Sequence, residues 1–316
     1  MTLFSLKRIG SALLVLLGVT LIVFLLLQLV PGDPARAILG QGATDEAVQQ
    51  LRNELGLNDS LPQQYATYLG GLLTGDFGTS ISQGLPVLEL LLPKLGNTLI
   101  LAAAALIIAV VFGVTLGVIA ARKQGGIFDR VAMALSLGGA SAPVYWAGLL
   151  AVAALSLGLG WFPTGGMYNA REPGGFLDLI SHLALPAVVA ALVPLAVIAR
   201  LTRAEVIEAL SGDYVTVLRA SGISERTMLW KHVLRNALPS LIGIIGLQVG
   251  YLLGGVIFVE VVFQWPGLGQ QLYTAITAND LPIVQAGVLF VAIVFVVINL
   301  ISDLLTAVLD PRAKAA

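Results

Sequence analysis

The chain has 316 residues and no cysteine. That excludes a disulfide framework, a thiolate metal site and a thiol nucleophile. Its two histidines, His182 and His232, lie far apart in sequence, so no histidine metal site is expected. Charge is scarce as well. Only 11% of the residues are Asp, Glu, Lys or Arg, against about 25% in a soluble domain. None of the five lysines is followed by Ser or Thr, so the G-x-x-x-x-G-K-[ST] loop that cradles nucleotide phosphates is missing. H-E-x-x-H and G-x-S-x-G are missing too. The chain is therefore expected not to be an enzyme and to bind no cofactor or metal of its own.

What remains is apolar: 57% of the residues are hydrophobic and the mean hydropathy is +0.93. The expected class is an all-α integral membrane protein. Six apolar segments lie near 10–30, 97–121, 131–158, 182–202, 237–259 and 284–308. Each reaches the ~20 residues that cross ~30 Å of hydrocarbon at 1.5 Å per residue. The first follows Lys7 and Arg8 and is read as a retained anchor, because its apolar run is long for a signal peptide and no convincing cleavage site follows.

Orientation follows from the cations. Lys7, Arg8, Arg122, Lys123, Arg130, Arg200, Arg203, Arg219, Arg226, Lys231, Arg235, Arg312 and Lys314 would share one side. Arg36, Arg52, Lys94 and Arg171 would share the other. Thirteen against four assigns the first side, with both termini, to the cytoplasm. The longest outer connection, 31–96, is expected to hold short helices at Ala47–Leu57 and Gln63–Leu73, with Thr44 or Asp45 capping the first.

A charged island from about Arg200 to Pro239 interrupts the apolar sequence. It cannot sit in lipid and must project into water. Its pattern predicts an extension of the fourth span through Leu210, a short helix from Tyr214 to Ser221, a left-handed turn at Gly222, and a helix capped by Ser224. Leu229 with Val233, and Trp230 with Leu234, make the last helix amphipathic and suit it to lying along the membrane. The island is either a solvated connector or a docking element. Its mixed signs argue against nucleic acid.

Polar residues inside spans are costly and mark packing or a water-filled path. They are Gln28, Gln248, Asn299 and Asp303. Arg200 or Arg203 could pair with Asp303. Gly246, Gly250 and Gly254 form a row that permits close helix approach, as do Gly113 and Gly117. Glu260 reads as a solvated loop carboxylate, or as a gate or receptor contact.

The run Asp213-Tyr214-Val215, Arg219-Ala220-Ser221-Gly222-Ile223-Ser224-Glu225 and His232-Val233-Leu234-Arg235-Asn236-Ala237-Leu238-Pro239 resembles the coupling loop of ABC-importer permeases, most of all their dipeptide, oligopeptide and nickel branch. Pro31-Gly32-Asp33-Pro34, Asn97-Thr98-Leu99, Val259-Glu260, Pro266-Gly267-Leu268-Gly269 and Leu309-Asp310-Pro311-Arg312 extend the resemblance along nearly the whole chain. Thr216-Val217-Leu218 stands where the wider superfamily has Glu-Ala-Ala.

The resemblance implies a type I importer permease fold in a bacterial or archaeal plasma membrane. It implies a second permease, two cytosolic ATPases holding ATP and magnesium, and an external solute-binding protein. It implies that Leu218, Arg219, Ala220, Ser221, Gly222, Ile223, Ser224 and Met228 dock an ATPase, and that Gln248, Tyr251 and Glu260 line or gate the passage. Short peptides are the expected cargo, with nickel chelates, glutathione or oligosaccharides as alternatives. An ion-coupled secondary transporter is the rival from another class; it would need internal repeats and ionisable groups at depth, and no repeat is evident.

Overall fold

The computed structural model describes residues 2–29, 33–40, 42–172 and 174–309. Pro31-Gly32, Asp310-Pro311-Arg312 and the Asp303 side chain lie outside the described part. Among the described residues, five helices are long and apolar enough to cross a bilayer. They are α1 (Thr2–Gln28), α5 (Val87–Arg122), α8 (Phe176–Leu210), the helix from Glu225 to Val262, and α13 (Leu281–Leu309). A bent pair makes a sixth when counted as one. Among the described residues there is no strand, only an isolated bridge between Thr79 and Pro86.

The third span departs from expectation. It is not one rod over 131–158 but α6 (Ile127–Ser141) and α7 (Val144–Ala151) with a π-helical end (Val152–Gly158), bent by 103° at the break. Pro143 explains the break: it disfavours helical backbone at Ala142, which is extended at ψ 128°.

Other bounds shift for physical reasons. α5 starts just after Pro86, ten residues before the expected span, and continues past an internal Pro93. α8 starts at Phe176 and carries Pro186 and Pro194 inside it. Neighbouring helices let a span tolerate such breaks in its hydrogen bonding.

α8 is the central helix and is buried along most of its length. Its buried positions are mostly small, among them Ala187, Ala190, Ala191, Ala196 and Ala199, so neighbours can approach closely. α5 packs along it more extensively than any other pair. At Gly117 an added Cβ would stand 2.6 Å from the Ala199 carbonyl, and at Gly113 one would stand 3.0 Å from that of Leu195. The small-residue pair therefore sets the separation of these two helices.

The connection after α1 holds α2 (Pro34–Leu39), α3 (Asp45–Glu54) and α4 (Leu61–Thr74). Thr44, not Asp45, caps α3, accepting from the Ala47 N–H. The charged island holds α9 (Asp213–Ala220) and α10 (Glu225–Thr227). α10 runs through a π-helical stretch, Met228–Val233, straight into α11 (Leu234–Val262). The expected separate helix lying along the membrane is thus the first part of the fifth span. α12 (Leu268–Thr277) fills the last connection.

Candidate coupling surface and the polar junction at the opposite end

The charged loop is held by its ends and open at its tip. Val118 and Ala121 of α5, Val206 of α8 and Val215 of α9 pack with Met228, Leu229 and Val233 in one buried cluster. α9 then ends in a paired cap. The Gly222 N–H donates to the Arg219 carbonyl at 3.0 Å and the Ile223 N–H to that of Leu218 at 3.2 Å. Gly222 sits at φ +75° with open space around its Cα, so the left-handed backbone, not crowding, demands glycine there. Leu218 and Ile223 both pack partly into the cluster, the apolar contact that accompanies such a cap. The Ser224 hydroxyl then accepts from the Thr227 N–H at 3.3 Å and starts the next helix.

The turn presents Arg219, Ala220, Ser221, Gly222 and Ser224 to the outside. Arg219 Nε donates to Glu225 Oε1 at 2.9 Å across it. Val217, absent from the expected docking set, is 65% exposed and is the large apolar side chain of this surface. Met228 was expected to contact a docked partner. It is fully buried and serves the internal cluster instead, because it starts the π-helical stretch facing α5 and α8.

A second feature fixes the same end. Arg203 of α8 grips Asp129 of α6 with two hydrogen bonds, Nε to Oδ1 at 2.5 Å and Nη2 to Oδ2 at 2.7 Å. The Gly125 N–H adds a third at 2.9 Å. Arg203, one of two candidates with Arg200 for pairing with Asp303, holds Asp129, which the sequence reading did not single out. An acidic residue in a first helical turn is the local signal for Asp129, but nothing local points to a partner 74 residues away.

At the opposite end, Glu260 is neither solvated nor free to gate. It is fully buried near the end of α11. Its Oε1 accepts from the Thr98 hydroxyl at 2.6 Å, and its Oε2 from the N–H groups of Gly269 at 2.6 Å and Gln270 at 3.3 Å. Thr98 in turn accepts from the Leu268 N–H at 2.8 Å. These are first-turn donors of α12, whose own cap residue, Gly267, has no side chain to satisfy them. Glu260 and Thr98 cap α12 from two other helices. A Cβ at Gly267 would strike the Glu260 carboxylate, and one at Gly269 would come within 2.6 Å of Ile257 Cα. Asn97 Nδ2 donates to the Pro266 carbonyl and Trp265 Nε1 to that of Asn97, each at 2.9 Å. Asn97-Thr98, Glu260 and Trp265-Pro266-Gly267-Leu268-Gly269, separate motifs in the sequence, form one buried junction.

Asp280 makes a sister junction beside it. It is buried and accepts from the hydroxyls of Ser80 and Ser82 at 2.6 Å each, and from the N–H groups of Ser82 at 2.9 Å and Ile81 at 3.3 Å. Burial alone would raise its pKa, but these hydrogen bonds outweigh it and hold the carboxyl below its ordinary value. This ties the end of the long connection between α1 and α5 to the start of α13, a pairing across 200 residues that the sequence reading missed.

Gln248 and Tyr251, expected along the passage, lie on α11. Gln248 is half-buried. Tyr251 is exposed, on one helical face with Leu247, Gly254 and Phe258. Of the glycine row, Gly250 takes the Phe295 ring of α13 at 2.8 Å from an added Cβ, whereas Gly254 faces open space.

An all-helical bundle of apolar spans with an exposed polar turn at one end is a multi-pass membrane protein. Residues 113–315 match the binding-protein-dependent transport system inner membrane component, and residues 1–102 match the N-terminal part of such membrane components. The chain belongs to this family, as a multi-pass protein of the bacterial plasma membrane. It is 38% identical to the dipeptide transport system permease proteins of Alkalihalophilus pseudofirmus (98% of this chain, 99% of that one) and Escherichia coli K12 (98% of each). It is 39% identical to the di/tripeptide transport system permease of Pseudomonas aeruginosa, again over 98% of each chain. Its fold is similar to that of the MetNI methionine ABC transporter in an inward-facing form, with TM-score 0.55 and 18% identity over 71% of this chain and 97% of that one.

Proposed function

We propose that this permease forms half of the passage for short peptides in an ATP-driven importer. A second, similar permease supplies the other half. Both termini and the charged loop lie in the cytoplasm, and an external solute-binding protein delivers cargo to the opposite end. Two cytosolic ATPases, which hold the ATP and magnesium, dock on the loop. Similarity to dipeptide permeases over nearly the whole chain supports the cargo.

The observation that carries the mechanism is the rigid, exposed turn around Gly222. Arg219, Ala220, Ser221 and Ser224 supply polar and close contacts to the ATPase, with Val217 as the apolar one. Leu218 and Ile223 hold the turn to the bundle from beneath. Closure of the ATPases pushes the turn, and the buried cluster passes that push to α5, α8 and α11 as one body. Gln248 and Tyr251 line the passage on α11; Glu260 has no part in it.

Gly222→Pro tests the lever. Proline cannot adopt φ +75° and removes the N–H that binds Arg219. In reconstituted importer, ATP hydrolysis should persist while peptide uptake is lost. Unchanged uptake would remove the lever from this loop. Purification in mild detergent with mass spectrometry of retained proteins tests the partners: a folded chain that is always alone contradicts the reading.

A further inference from the structure

α4 is unlike its neighbour in the same connection. α3 has four charged residues in ten: Asp45, Glu46, Arg52 and Glu54. α4 has none in fourteen. Its contacts also fix its level against the spans. Tyr65 Oη lies 2.9 Å from Thr20 Oγ1 and donates to the Leu17 carbonyl at 3.4 Å. The Tyr65 and Tyr68 rings lie against Phe24, with centroids 5.4 and 6.1 Å away. Thr20 precedes the end of α1 at Gln28 by about 12 Å of helical rise, well inside the apolar run Arg8–Leu26. Just past α4, the Phe77 ring packs on Phe290 at 5.3 Å. Phe290 is about 14 Å into α13 from Leu281 at helical rise.

Several polar groups of α4 are satisfied locally, although the buried Tyr68 hydroxyl has no hydrogen-bond partner. Gln64 Nε2 donates to the carbonyls of Leu57 and Asp59, and its oxygen accepts from Gln28. Gln63 closes a cap with Ser60, and the Thr74 hydroxyl donates to Gly71. A helical backbone with these side-chain groups paired needs little water. The outward side chains are uncharged: Leu61, Pro62, Ala66 and Leu73 are apolar, with Leu73 88% exposed, and Gln63, Thr67 and Thr74 are neutral polar groups among them. The surface they begin continues down α1 through exposed Leu14, Leu17, Leu21 and Leu25.

We propose that α4 is not part of a water-facing cap but lies in the bilayer, as an interfacial helix set into the leaflet opposite the charged loop, with lipid as the partner of Leu73. An uncharged helix whose aromatic side chains reach the level of a neighbouring span is stable there, whereas α3 is not. α4 would widen the footprint of α1 and α13 at that surface and hold the first outer connection at a fixed height.

The absence of cysteine makes the test direct. Leu73→Cys and, as a control on α3, Glu46→Cys are each labelled with an environment-sensitive fluorophore. The full importer is reconstituted in vesicles of phosphatidylethanolamine and phosphatidylglycerol. Aqueous iodide and a spin-labelled phospholipid serve as quenchers. The label at residue 73 should be quenched several-fold more by the lipid than by iodide, with the reverse at residue 46. Equal iodide access at both positions overturns the proposal. Shielding of residue 73 from both quenchers also overturns it, since a protein partner then covers α4. Leu73 is exposed, so its replacement removes little packing and a folding failure is not expected.

Discussion

The two ends of the bundle use polar groups in opposite ways. At the charged-loop end, the tip of the turn is exposed and its one ion pair, Arg219 with Glu225, is about half open to solvent on both sides. At the opposite end, Glu260 and Asp280 are wholly buried and together accept hydrogen bonds from α5, α12 and the connection between α1 and α5. One end leaves its polar groups open to solvent; the other uses them to hold connections in place. A polar residue in a membrane protein is thus informative only once its exposure is known. Glu260 and Arg219 look equally functional in a sequence, and the structure separates them.

Breaking the buried end should have the largest effect on stability. Glu260→Ala leaves the Thr98 hydroxyl and the Gly269 and Gln270 N–H groups without their acceptor. Each orphaned buried donor costs about 1–3 kcal/mol. Thermal unfolding in detergent should therefore drop sharply, and a wild-type midpoint would return Glu260 to the passage. Asp129→Ala comes next. It strands Arg203, which keeps some access to water, so a loss of about 2 kcal/mol is expected. The charge-reversed pair Asp129→Arg with Arg203→Asp should restore part of it; no restoration would mean that packing, not the ion pair, fixes α6 to α8.

Asp280 gives a smaller, pH-dependent effect. Its folded pKa is held below the unfolded value, so its contribution is present above the unfolded pKa and lost as pH falls through the folded one. Unfolding midpoints measured downward from about pH 6 should start to fall below about pH 4, the ordinary aspartate range. Asp280→Asn should flatten that acid limb; an unchanged acid limb would show that the Ser80–Ser82 contact does not titrate. Arg219→Ala sharpens the comparison from the exposed end. Its ion pair is worth no more than about 0.5 kcal/mol at such exposure, so the unfolding midpoint should hardly move. A loss of coupled uptake without a loss of stability would place Arg219 at the ATPase contact.

Much was legible from local sequence. Apolar runs of span length, Thr44 before α3, Gly222 after α9 and Ser224 before α10 declare themselves, because spans and caps are set by chain-local chemistry. The break in the third span was also local, at Pro143, but the surrounding apolar run masked it.

Composition and local pattern are enough to place the chain across a membrane, to make it helical, and to send its charged loop out of the lipid. Hydrocarbon admits few structures, so composition and length suffice for that. Which polar groups are consumed internally follows from packing between distant elements. Met228 faces α5 and α8, Arg203 finds Asp129, and Glu260 caps a helix whose own cap residue is glycine. Arg203 meets its partner 74 residues away and Glu260 meets Thr98 162 residues away, and no periodicity along the chain encodes which distant donor will meet a given carboxylate.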